Sequence, residues 1–485
     1  MKNTILILFA AIVLLQTSCK KFNEFQTDPN KSSIATPDLL LNTIEQNAFQ
    51  STSLIVAITC RQMAHTDAIS LDQYYGWTRG SFDGYNSLRQ VLKMEQAATS
   101  QNKPEYLPLA KFFKAWYFLQ LTQRFGDIPY TDALKGEENS YTPAYDKQQD
   151  IYLSILNDLK AANELITNGM ASVQGDIVYH GNMQQWKKAI NSLSLRVLIS
   201  LSIKENDAAL GIKQRFANIV NNPNQYPVFT GNIDNAALKF YDLQGNRYPY
   251  FNSNDLQTAY YMDETFVNLL KSLNDTRLFS FADKATKFAN LPANDFNAYG
   301  GVNGSAPVSE NNARTATGEI SKINPRFYLS AVNEPSIALG YAEVQFMLAE
   351  GVIRGWIGGT ASDYYEKGVQ ASMSFYNIDQ TIIDTYLAQS SVKLSAVGPL
   401  QSIITQKYIA SFMNGGYQPF YEQRRTGSPV FDVSGAGSLN NKMIAKRWMY
   451  PESELTLNQQ HVTEAIARQY PSGDDVNGVM WLLKP

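Results

Sequence analysis

Cysteine is scarce: the 485 residues hold two, Cys19 and Cys60, which is too few for a disulfide framework. Cys60 follows the apolar run Leu54 to Thr59 with only Arg61 beside it, which points to a small buried hydrophobe rather than a reactive thiol. Histidine is nearly as rare. His65, His180 and His461 lie far apart, and no HExxH pair, Cys/His cluster or EF-hand loop occurs, so no metal site is expected. The glycine runs lack the Gly-Lys-Ser/Thr ending of a phosphate loop, and there is no GxSxG elbow, so neither a cofactor nor a nucleophilic enzyme is indicated. An excess of positive charge is missing too: 41 basic against 44 acidic residues leave a net of −3, which argues against nucleic acid. Beyond the N-terminus no stretch reaches 18 apolar residues, so nothing later is built to span a bilayer. Finally, at 44% hydrophobic residues the chain is too apolar for intrinsic disorder.

What is present begins at the N-terminus. Met1-Lys2-Asn3 is a short positive start, and Ile5 to Leu15 runs without a charge or a breaker. That is the length of a signal-peptide core and too short for a membrane-spanning helix. Thr17 and Ser18 then stand directly before Cys19, an order that resembles the bacterial lipobox, although Gln16 occupies the position where leucine is usual. An ordinary secretory signal with an incidental cysteine is the alternative. The lipobox reading implies cleavage after residue 18 and acyl chains on Cys19. A single acyl chain anchors only marginally, and several hold durably. Residues 19–36 are polar and turn-rich around Asp28-Pro29-Asn30 and read as a lipidated flexible tether. Thr36-Pro37-Asp38 supplies a cap, a first-turn proline and an early acid, so the folded body is expected over residues 37–485.

Helical signals dominate that body. Phe112, Ala115, Trp116 and Leu119 recur at helical spacing, with Gly126 and Pro129 as stop signals. Trp186, Ala189, Ile190, Leu193 and Val197 form a second stripe. Ile337, Tyr341, Val344, Leu348 and Val352 form a third, followed by a glycine-rich turn (residues 355–359) and a helix from Ala361 to Tyr376. Two helices joined by a tight turn are one unit of a helical solenoid. Ala342, Ala349, Ala361, Tyr364 and Tyr365 suit the contacts of a tetratricopeptide-like pair, though no strict 34-residue period runs along the chain. The fold class is therefore all-α, with tetratricopeptide-like helix pairs in an α–α superhelix, long loops and little β-structure. Two stretches, residues 226–261 and 289–314, read as long loops, and loops of that length are usually functional.

Aromatic rings in polar, turn-rich settings are the most informative feature. Tyr74-Tyr75-Gly76-Trp77 with Phe82 lies among glycines, Tyr250 stands in the first long loop and Tyr299 in the second. A ring with an apolar face and, for Tyr and Trp, a polar edge matches a pyranose, so these six are the candidate ligand-binding residues. Rings so placed serve either a ligand or the core. Arg424-Arg425 has the look of an anion clamp, but such a pair more often braces carbonyls or helix ends. The 44 acidic residues leave open a carboxylate pair of the kind glycosidases use.

Taken in order, Cys19 to Phe22 with Thr27-Asp28-Pro29-Asn30, Ala115 to Phe118 ending at Phe125-Gly126-Asp127-Ile128-Pro129, and Leu195-Arg196 resemble the SusD/RagB family of glycan-binding lipoproteins. Further matches are Asn274 to Leu278 (with Thr276 where the family often has proline), Ala342-Glu343-Val344, Ala349-Glu350, Gln406-Lys407-Tyr408, Arg424-Arg425-Thr426-Gly427 and Arg447 to Pro451. The resemblance implies a single helical domain, residence on the outer membrane facing outward, and capture of an oligosaccharide or other nutrient without catalysis. It also implies a partner, a SusC-type TonB-dependent transporter, and ligand contacts near residues 74–85, above all Trp77. A helical-repeat scaffold that binds only proteins, and an envelope glycosidase, are the competing readings.

Overall fold

The computed structural model describes residues 35–485. The helices that frame its body are α1 (Pro37–Phe49), α2 (Gly84–Ser100), α3 (Leu107–Phe125), α4 (Gln148–Leu165), α5 (Met183–Ser200) and α6 (Ile212–Asn221) in the first half. In the second half they are α7 (Tyr341–Ile353), α8 (Ala361–Phe375), α9 (Pro399–Ala410) and α10 (Gln418–Thr426). Four short strands, β1 (Met63–His65), β2 (Ala236–Leu238), β3 (Tyr260–Met262) and β4 (Ser336–Leu339), pair antiparallel as β1–β3 and β2–β4. This is the helical architecture expected from the periodicity.

Local chemistry sets the boundaries. Proline occupies the first turn of α1 and of α3, where its missing N–H costs nothing. Thr36 stands at the cap position of α1, but its hydroxyl makes no capping bond. Gly126 ends α3 at φ +87°, and a side chain there would collide with Gln469 and Tyr470. Two expectations need correction. Ile337 belongs to β4 and pairs with Ala237, so α7 starts at Tyr341. Within residues 289–314, Val308 opens a helix that runs to Thr315. Polar residues Ser309 to Asn312 gave that helix no apolar stripe to read.

One large core runs through the body, and α3 is buried on nearly every side. At its centre Trp186 is fully enclosed by Phe112, Phe113, Phe49 and Tyr179 and donates its indole N–H to Asp176 at 2.9 Å. Cys60 is buried and free, and burial pushes its thiol well up, away from the reactive thiolate.

A chain of buried charges crosses the molecule. Arg196 of α5 donates to Glu343 of α7 at 2.9 Å, and Lys407 of α9 lies 3.7 Å from the same carboxylate. Lys407 also donates to Glu422 of α10 at 2.7 Å. Arg425 joins Glu422 to Glu350 of α7, reaching Glu350 Oε2 at 2.8 Å, and donates to Ser202 at 2.7 Å. Arg424 instead caps the carbonyls of Gln123 and Lys446. The Arg424-Arg425 pair is thus a brace, as expected of it. A second buried pair, Asp275 with Arg277, is held by Ser372, Gln406 and Tyr386.

Burial alone raises the Glu422 carboxyl, but Arg425 and Lys407 outweigh it and hold the group down at about 2. A carboxyl held below its unfolded value contributes stability above about pH 4.5 and loses it as pH falls towards 2. Glu422→Gln removes the carboxylate that Arg425 and Lys407 share, leaving Arg425 to Glu350 and Lys407 to the more distant Glu343, and is expected to cost about 3–5 kcal/mol near neutrality. Urea unfolding curves across pH should show that loss, together with a flatter acid limb between pH 4.5 and 2 than in the unaltered protein.

Candidate functional site

The rings singled out in the sequence are mostly interior. Trp77 is 5% exposed, stacks on Trp448 at 4.9 Å, meets the edges of Tyr75 and Phe420, and donates its indole N–H to the Arg447 carbonyl at 2.9 Å. Tyr74 donates to the Ala306 carbonyl at 2.9 Å and Tyr75 to the Thr59 carbonyl at 2.7 Å. The Arg61 guanidinium lies 4.9 Å from the Tyr75 ring. Tyr299 is buried and donates to the Ala293 carbonyl at 2.6 Å. Phe82 is half-buried against Phe125 at 5.0 Å, and half-buried Tyr250 accepts the Leu54 N–H at 3.0 Å. Four of the six rings, Tyr74, Tyr75, Trp77 and Tyr299, are thus enclosed by the protein itself, and Phe82 and Tyr250 are half-buried. Trp77 and Tyr75 come together, but their faces and hydrogen-bonding edges are spent on sealing the 60–85 segment against residues 417–450. The large area of such rings stabilises most when enclosed. Cys19 lies outside the described residues.

A different set of residues lines an open cavity of about 210 Å³ between the end of α1, one face of α3, Arg196 of α5 and the turn that leads into α10. Trp116, Gln120, Gln123 and Arg124 reach it from α3 because offsets of 0, 4, 7 and 8 fall on one side of a helix. Tyr417 and Tyr421 form the opposing wall. Gly415 and Gly416, at φ +73° and +55°, turn the chain so that Tyr417 crosses to the mouth, and the Gly415 N–H is pinned to the Ile337 carbonyl at 2.8 Å. Exposed Asn47 and Gln50 stand at the rim.

Trp116 and Tyr421 are nearly as enclosed as Trp77, and half-buried Tyr417 packs at right angles against Trp448 and Phe420. This lining therefore offers a hydroxylated ligand one partly open ring, ring edges and the amides between them. No carboxylate lines this cavity, so the acid–base pair of a glycosidase is not assembled there. Among the described residues no three His, Cys, Asp or Glu side chains gather as metal ligands. A larger space of about 440 Å³ lies between α4, α5 and α6, but it is a more open groove with one aromatic side chain, Tyr226. Sequence reasoning placed Trp116 on a core stripe and passed over Arg124, Tyr417 and Tyr421. Gly415-Gly416-Tyr417 is the same signal, an aromatic beside turn glycines, that drew attention to Tyr75-Gly76-Trp77.

The helical body and this cavity can be set beside known proteins. The family model described as starch-binding, associating with the outer membrane, matches residues 29–451. A SusD homologue of Bacteroides fragilis is 41% identical over 93% of this chain and all of its own, with a TM-score of 0.86. A Bacteroides vulgatus protein assigned to the outer membrane and to nutrient binding is 38% identical over the same shares, with a TM-score of 0.87. A chitin-binding SusD homologue from Flavobacterium johnsoniae shares the fold at 22% identity and a TM-score of 0.73, over 92% of this chain and 97% of that one. Among curated proteins none matches. With the shared body covering all but the N-terminus, the chain belongs to the SusD-like family of nutrient- and glycan-binding proteins associated with the outer membrane.

Proposed function

We propose that the mature protein is anchored in the outer membrane by acyl chains on Cys19, faces the exterior, captures an oligosaccharide or similar nutrient, and passes it to a SusC-type TonB-dependent transporter. It binds its cargo and leaves it chemically unchanged. The observation that carries this reading is the cavity of about 210 Å³, walled by Trp116, Tyr417 and Tyr421 and interleaved with amides. Its size is below the roughly 300–1,000 Å³ of pockets that enclose a drug-sized ligand, so it takes one unit of a longer chain and leaves the rest accessible to a partner.

The anchor rests on the order of apolar core, small pair and cysteine before a polar tether, with the first helix starting at Pro37. No described helix is long and apolar enough to cross a membrane, so a lipid is the attachment this reading requires. Three acyl chains supply it, at about 0.8 kcal/mol per buried methylene.

Affinity electrophoresis of the purified protein against a polysaccharide panel should show retardation by at least one glycan, with no shortened product on prolonged incubation. Retardation by none, or accumulating fragments, would remove the proposal. Tyr417→Ala is expected to weaken retention by about tenfold or more, the effect of losing a stacking ring. By contrast Trp77→Ala should cost about 3–5 kcal/mol of stability while the folded fraction retains glycan as before. Labelling cells with radioactive palmitate should mark the protein and fail to mark a Cys19→Ala variant, and the labelled protein should co-purify with a TonB-dependent barrel.

A further inference from the structure

Three polar atoms on α3 are buried and have no hydrogen-bond partner: Trp116 Nε1, Gln123 Oε1 and Arg124 Nε. All three side chains line the cavity described above, and Trp116 and Gln123 are 5% and 1% exposed. These three atoms are closed to solvent, and Gln123 lies beside the equally unpaired Tyr152 hydroxyl, so the group of this helix face that can meet a charged ligand is the outer end of the Arg124 guanidinium.

Charge narrows the choice. The guanidinium of Arg196 is answered by Glu343 at 2.9 Å. Arg124 makes no ion pair among the described residues, and the groups acting on its charge are the Tyr421 and Tyr417 hydroxyls first, with Asp83 after them. It is held instead by rings, 5.2 Å from Tyr417 and 5.6 Å from Trp448, which fix its plane without neutralising it. A rigid, uncompensated guanidinium at the wall of a cavity free of carboxylates matches a pair of anionic oxygens.

Resting on the reading that this cavity holds glycan, we propose that the captured chain presents a negatively charged sugar residue, bearing a carboxylate or a sulfate. Its anionic group meets the outer nitrogens of the Arg124 guanidinium at the cavity wall. Ordered water can fill the same hydrogen bonds but brings no charge, so the discriminating property is charge on the ligand.

The test is titration calorimetry on the full lipidated protein in detergent, at low and high salt. The probes are trigalacturonate, its methyl ester, a sulfated galactan oligosaccharide, its desulfated form, and maltotriose. One acidic probe should bind about tenfold or more tighter than its neutral counterpart, with the preference shrinking at high salt. Trigalacturonate would identify a carboxylate source and the galactan a sulfate source. Arg124→Gln should abolish the preference and Arg124→Lys restore part of it, each with an unchanged melting temperature. If Arg124→Gln does not fold, the acid-to-neutral ratio of the unaltered protein still decides. Equal affinity for acidic and neutral partners, or binding of neutral probes alone, overturns this inference and leaves glycan capture standing. Binding of none of the probes overturns the inference too, while retardation by a wider polysaccharide panel decides glycan capture separately.

Discussion

The structure depends on a row of buried charges that alternate in sign: Arg196, Glu343, Lys407, Glu422, Arg425 and Glu350. Three cations answer three carboxylates within the row, and Arg354 carries the alternation on from Glu350 to Glu205. Desolvation of that many ions is repaid only by close geometry and extra hydrogen bonds, which Ser202 and Arg354 provide at the Glu350 end. The row ties α5 from the first half to α7, α9 and α10 from the second. It therefore fixes where the two halves meet.

That junction is also where the cavity lies. Arg196 contributes to both, its guanidinium bound to Glu343 and its side chain part of the cavity lining beside Trp116. The turn at Gly415-Gly416 is braced from α10 on one side and from β4 on the other, which makes Tyr417 a fixed wall. A ligand site placed where two rigid halves are clamped needs little ordering on binding, and affinity is spent on contacts rather than on closing loops.

Much of this was legible without coordinates. The ends of α1, α3 and α8 that Pro or Gly punctuates followed from local signals, because backbone sterics act locally, whereas the start of α7 and the helix at Val308–Thr315 did not. Five of the short motifs that carry the family resemblance feed the charge row: Leu195-Arg196, Ala342-Glu343, Ala349-Glu350, Gln406-Lys407 and Arg424-Arg425 each supply one of its six members, and Glu422 is the sixth. Phe125-Gly126-Asp127 likewise joins α3 to the C-terminal region, with Asp127 accepting from Gln148 at 2.8 Å and from Arg468 at 2.7 Å. The site was not legible in the same way. Trp77 and Tyr417 both follow turn glycines and both pack on Trp448 and Phe420, yet the first is buried and the second is half-buried in a cavity lining.

The amino-acid sequence by itself determined the helical class, the family, and which side chains bear charge in an otherwise apolar setting. These follow from periodicity, local backbone preference and short motifs, all of which act within a few residues. Only the tertiary structure decided which rings are core and which face a cavity, and which cation lacks a counter-charge. Burial and ion pairing join residues far apart in the chain, Arg196 with Glu343 across 147 positions and Trp77 with Arg447 across 370, and spacing along the chain carries no record of such distances.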